Sequence, residues 1–289
     1  MGRYGRAARC LAGAISLLVL SACGGTGPAE PAEELQADIL CEASGPSVRK
    51  QRTYTVDSRL LEDEVLAEDG TELLHYSYEL PVLRTGVLGA DASGADGDTE
   101  EETFAQAFSA WAEEDLAAFT AAAQEDYAFR EGEGWKPYQA EFTYTAYVGA
   151  NLVSIRALYW SYQGGKHGSP VLLTWNYTPE TQTFLHPLEL ALDSQRFSAA
   201  VAEELIGQAE EQAREEHNAA ASDCYWWDYE DILADWPDYA VSFDEAGMHV
   251  EFSPYELAAY TAGAQSFLIG YDFLAAYLSP EGQQLLGLE

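Results

Sequence analysis

The chain has 289 residues, with 49 acidic against 14 basic and a formal net charge of −35. That charge repels phosphate, which excludes nucleic acid as a partner and disfavours direct docking on an anionic bilayer. It would steer a cationic partner inward, and it serves solubility equally well.

Residues 1–22 carry Arg3, Arg6 and Arg9, then an apolar run from Leu11 to Leu20 and the small residues Ser21 and Ala22. A basic start, an apolar segment far shorter than the roughly 20 residues of a membrane span and small residues predict a secretory signal. The "LSAC" at 20–23 resembles the lipobox of bacterial lipoproteins, which implies lipidation of Cys23, cleavage before it, and a membrane contact made through the lipid anchor. Cleavage there removes three arginines and no acid, leaving 11 basic residues against 49 acidic, a formal charge of −38. The remaining cysteines, Cys41 and Cys224, would lie in an oxidising location and are a candidate disulfide. No CxxC or Cys/His cluster is present, so neither a zinc site nor any other metal or cofactor is implied.

Residues 23–52 are rich in Gly, Pro, Ala and Glu and read as a flexible tether. Beyond it the pattern predicts two strands, "RTYTVDSRLLEDEVLAE" and "TELLHYSYELPVL", joined at Asp69-Gly70, the second ending near Pro81. An acidic loop at 89–102 leads into a helix whose apolar positions are Phe104, Phe108, Trp111, Leu116 and Phe119. From Gln139 the period becomes strand-like through "AEFTYTAYV", "LVSIRALYWSY", "PVLLTWNY" and "TFLHPLEL", an antiparallel meander. A second helix is expected over about 194–217, then an aromatic and acidic stretch, a hairpin "YAVSF-DEAG-MHVEF", and a terminal strand and short helix. The fold class is α+β: antiparallel sheets packed with a few helices, behind a signal peptide and a tether. The ordered region is expected as an N-terminal part, 53–165, and a C-terminal part, 166–283.

Three segments invite a functional reading. "QGGKHGSP" (163–170) frames His167 and Ser169 with glycines, but its place between two strand patterns predicts a connection whose glycines at 164, 165 and 168 supply positive φ angles. No GxSxG or HExxH signature accompanies it, so no catalytic residue is assigned. In 223–239, Trp226, Trp227, Tyr229 and Trp236 alternate with acids such as Asp231. This is either an interface with aromatic anchors, suited to a protein or a sugar, or a core stripe with a solvated acidic face. In "PYELAAYTAG" (254–263), Pro254 and Gly263 are expected to shape the backbone while Tyr255 and Tyr260 pack on the sheet.

Together, "YQGGKHG" (162–168), "FLHPLEL" (184–190) and "VEFSPYELAAYTAGAQSFLI" (250–269) resemble the extracellular region of RsiV-type anti-sigma factors, also found beside peptidoglycan-deacetylase domains. The resemblance spans about 53–283. It implies a non-enzymatic module, RsiV-like, that in the anti-sigma factors binds lysozyme. The chain departs from that pattern at "NYTPETQT" (176–183), where the family has a Thr-Gly turn. No sigma-binding segment precedes the anchor-like stretch, so the expectation is a recognition module on a lipid tether rather than a transmembrane signal transducer. Its expected partner is lysozyme or another cationic protein, or peptidoglycan. The alternative is an envelope hydrolase acting on glycan with two carboxylates.

Overall fold

The structure, a computed structural model, describes residues 52–87, 99–131 and 133–288. The signal and lipidation reading, nearly all of the tether and most of the acidic loop at 89–102 lie outside the described residues. Residues 52–288 belong to one compact unit.

The first hairpin forms from β1 (Arg52–Leu66) and β2 (Glu72–Val87), in antiparallel register along their whole length. Gly70, at φ 85°, makes the turn, and Asp69 accepts from the Thr71 N–H. The strand does not stop at Pro81, as the sequence led us to expect, but continues to Val87. The short strand β3 (Thr99–Glu100) explains this. Glu101 N–H donates to Leu83 O on the β3 side, so odd-numbered residues of β2 turn their backbone away from β1. Pro81 therefore aims its missing donor into the gap between the β2–β4 pairing, which ends at Tyr78, and β3, which begins opposite Thr85 and Arg84. No ladder bond is lost there.

Helix α1 (Glu102–Phe129) buries Phe104, Phe108, Ala112, Phe119 and Ala123 against the sheet, with Trp111 and Leu116 at its margin. It acts as a crossover, because β4 (Tyr138–Val148) returns parallel to β2. Strands β5 (Val153–Tyr162), β6 (Ser169–Thr178) and the short β7 (Thr183–Phe184) continue as the expected meander, giving the order β1-β2-β4-β5-β6-β7. The boundary expected at 165/166 falls in the loop between β5 and β6. The departure "NYTPETQT" closes its turn by linking the hydroxyls of Thr178, Thr181 and Thr183.

Helix α2 (Ser194–His217) starts where Asp193 accepts from the backbone N–H of Gln195 and Arg196, and ends at Asn218 in the left-handed conformation. Short helices α3 (Ala221–Cys224) and α4 (Tyr229–Ala234) lead into a second sheet of β8 (Ala240–Phe243), β9 (Gly247–Phe252) and β10 (Gln265–Gly270), followed by α5 (Tyr271–Leu274) and α6 (Pro280–Leu286). This sheet and α2 enclose a second core around Phe197, Leu205, Trp236, Val250 and Phe252.

Hydrogen bonds join the two sheets. Asn176 Nδ2 donates to Val241 O, Val241 N–H to Thr174 Oγ1, Phe243 N–H to Ser154 Oγ, and Leu172 N–H to Ser253 Oγ. Ser154 and Asn176 are buried and also bond to each other at 2.7 Å. Buried polar groups satisfied in this way fix one relative placement of the layers.

On the α1 face, Tyr78 Oη donates to Asp115 Oδ2 at 2.5 Å, and Tyr159 packs edge-on to Tyr78. Burial holds the Asp115 carboxyl above its ordinary value of 3.8, although hydrogen bonds from Tyr78 and Tyr159 pull it down. A raised carboxyl means the folded state binds the proton more tightly than the unfolded one. Its contribution favours folding below the ordinary value and is lost as pH rises through the folded value. Asp115→Asn should therefore gain stability relative to wild type as pH is raised from about 4. Urea midpoints across a pH series read this directly; a difference independent of pH would contradict it.

Candidate functional site

The loop 163–168 is a connection between paired strands, as the sequence predicts. Its glycines differ in purpose. Gly164 alone takes a positive φ, 75°. Gly168 is needed for space, since a Cβ there would lie 2.2 Å from the Trp160 indole. His167 is exposed; its Nδ1 lies 2.9 Å from Gly168 O, and its ring stacks on Tyr260 at 4.1 Å between centroids. These contacts orient an aromatic surface rather than a proton relay.

From Tyr260 the surface runs on. Its hydroxyl donates to Gly168 O, and its ring meets Tyr255 at 5.3 Å. Tyr255 is not packed on the sheet as the sequence suggested. It is 52% exposed and has φ 76°, a left-handed backbone that a bulky residue adopts only at a cost. Its neighbours hold it there. Trp226 Nε1 donates to Tyr255 O at 3.1 Å, Trp226 N–H donates to Leu257 O, and Glu256 Oε2 accepts from Ser253 N–H at 2.7 Å. Gly263, at φ 75°, closes the segment. Trp160 and Tyr162, rings parallel at 6.4 Å, extend the surface across Gly168. The result is an aromatic ledge in which the loop after β5, the turn after β9 and the start of the aromatic-acidic stretch meet.

That last stretch divides between the two readings open for it. Trp236 is fully buried, with Nε1 donating to Ser198 O and its ring edge-on to Phe197, and Tyr229 is buried as well. As core residues they cannot anchor a partner, which corrects their assignment as candidate contacts. Trp227 is 88% exposed, Trp226 is half-buried in the ledge, and Asp231 is exposed. Residues 225, 229, 233 and 236 follow a helical stripe, and Trp227 falls off it; that spacing is the signal separating core from surface. Cys224 is half-buried beside the second core, whereas Cys41 lies outside the described residues, and with it the expected disulfide.

A second concavity, a groove of about 460 Å³, opens between β4–β5 and β8–β9. Arg156 bonds the buried Glu251 with both Nε and Nη2, the latter at 2.6 Å from Oε1. His249 Nε2 lies 2.7 Å from Asp244 Oδ2. Burial pushes the Asp244 carboxyl up, but hydrogen bonds from Ala246 N–H and His249 outweigh it and hold the group below its ordinary value. These groups are paired with one another and shape the groove. Among the described residues no group of three or more His, Cys, Asp or Glu is disposed to hold a metal ion, and no helix is long and apolar enough to cross a membrane.

No family model and no curated protein matches the sequence. Among solved structures, a DUF3298 family member from Bacteroides fragilis aligns with a TM-score of 0.55 and 14% identity, over 83% of this chain and all of that one. A DUF3298 family protein from Pseudomonas aeruginosa aligns with a TM-score of 0.48 and 15% identity, over 80% of this chain and 96% of that one. The first likeness establishes a shared fold.

Proposed function

We propose that the chain is a non-enzymatic recognition module, held at the outer face of the cytoplasmic membrane by a lipid on Cys23, whose aromatic ledge takes a cationic cell-wall-active protein such as lysozyme. The observation that carries this reading is Tyr255, an exposed tyrosine kept in a left-handed backbone by bonds from its neighbours. Strain of this kind concentrates at binding sites, where the side chain's position matters more than its cost. Two further points support it. Two of the three segments that resemble the lysozyme-binding region of the anti-sigma factors, 162–168 and 250–269, meet in the ledge. The formal charge of −38 after cleavage before Cys23 would speed the approach of a cationic protein, while the aromatic contacts would slow its departure.

The hydrolase alternative gains nothing from Glu251 or Asp115, because Glu251 is clamped by Arg156 and Asp115 is held by phenols.

The test separates binding from folding. Tyr255→Gly relieves the positive φ, so stability should stay level or rise by up to about 1 kcal/mol. The same change should speed dissociation of lysozyme about tenfold or more if the ring is an anchor. Surface-based kinetics and thermal melts of one preparation read both. An unchanged off-rate would remove the ledge from the proposal.

A further inference from the structure

Strand β1 is the free edge of the large sheet; among the described residues no strand pairs with its outer side. It is long, Arg52–Leu66, and leaves Leu60 and Leu61 exposed. An edge of that length and apolar content is a template for another strand unless something covers it.

Its backbone phase is fixed by the β3 contact. Leu83 turns its carbonyl toward Glu101, away from β1, and Leu83 lies opposite Val56. Val56 and the other even-numbered residues of β1 therefore direct N–H and C=O out of the sheet. A second strand must pair with those residues.

The side chains then select which strand. In an antiparallel pairing of β1 with its own copy, centred on Ser58, Arg52 lies opposite Glu64, Asp57 opposite Arg59, and Val56 opposite Leu60. Each pair occurs twice by symmetry, and no like charges face each other. Moving the centre by one residue sets Arg59 against Arg59 or Asp57 against Asp57. Opposite charges directly across a ladder stabilise it and like charges do the reverse. The register irregularity between Val65 and Leu66 falls just beyond the last pair. Within one copy Asp57 already holds Arg84 at 2.7 Å and Arg59 donates to Ser109; two residues apart on the strand, both side chains lie on the same face of the sheet.

We propose that β1 is a homodimer interface, in which two copies of this chain join their large sheets through an isologous antiparallel β1–β1 ladder centred on Ser58. Isologous pairing of one surface with itself is the commonest route to a closed oligomer.

The full chain should sediment as a dimer at tens of micromolar and physiological ionic strength, where the screening length of about 8 Å mutes the repulsion between two acidic proteins. Opposed residues of such a ladder lie about 5.5 Å apart at Cα, so S58C should form a dimer with a short bis-maleimide that wild type, with its native cysteines, does not form. D57R and R59D should each weaken association at least tenfold, and D57R/R59D should restore it to within about threefold of wild type. Thermal melts confirm that each variant is folded. A monomer at these concentrations, or a dimer indifferent to the charge changes and to S58C crosslinking, would overturn the assignment.

Discussion

Trp236→Ala should lower stability by about 3–5 kcal/mol, whereas Trp227→Ala should change it by no more than about 0.5 kcal/mol. The two residues lie in one aromatic stretch, yet their environments are opposite. Trp236 is sealed between α2 and the small sheet, with its indole N–H bonded to Ser198 O, so truncation opens a cavity and removes that bond. Trp227 stands in solvent at 88% exposure. In a fold of this size the first change should lower Tm by roughly 10 °C. Equal Tm values for the two variants would contradict this division of core from surface.

The second large effect concerns the ion pair behind the groove. Arg156→Ala should cost about 3 kcal/mol, because it leaves Glu251 buried without its partner. The low end of the usual range applies, since the guanidinium side is open and water can reach part of the vacated space. Replacing both residues by methionine removes the stranded charge as well as the pair. Arg156→Met/Glu251→Met should therefore be more stable than Arg156→Ala alone. Chemical denaturation of the three variants checks the order; a double variant as weak as the single would mean that packing, not the unpaired charge, sets the cost.

Local patterns foretold most of the elements. The second helix was expected over about 194–217, and Asp193 and Asn218 cap it at Ser194–His217. The alternation in 139–148 likewise survives in β4, which is buried on one face, whereas β5 and β6 are buried on both faces where the second sheet stacks and keep only their β-branched and aromatic character. Long-range consequences were harder to read. The parallel β2–β4 pairing depends on α1 carrying the chain back across the sheet, which no local period reports. The continuation of β2 through Pro81 depends on which way one carbonyl, that of Leu83, happens to face.

The site was legible in fragments. The sequence marked "QGGKHG", "PYELAAYTAG" and the tryptophan-rich stretch separately, and the loop reading of the first holds. Their convergence on one surface follows from the hydrogen-bonded stacking of the two sheets, which buried side chains such as Asn176 and Ser154 specify. The left-handed backbone at Tyr255 had no local signal, because glycine or asparagine is the usual mark of that conformation.

Recognition of lysozyme is tested by comparing its binding to this protein and to an unrelated protein of equal net charge at physiological ionic strength. Charge alone attracts any acidic protein to lysozyme, and that attraction fades as the screening length shortens to about 8 Å. Specific binding should survive in this protein alone and be lost with Tyr255→Gly. Equal affinity of the two proteins for lysozyme would show the attraction to be nonspecific and contradict the proposed function.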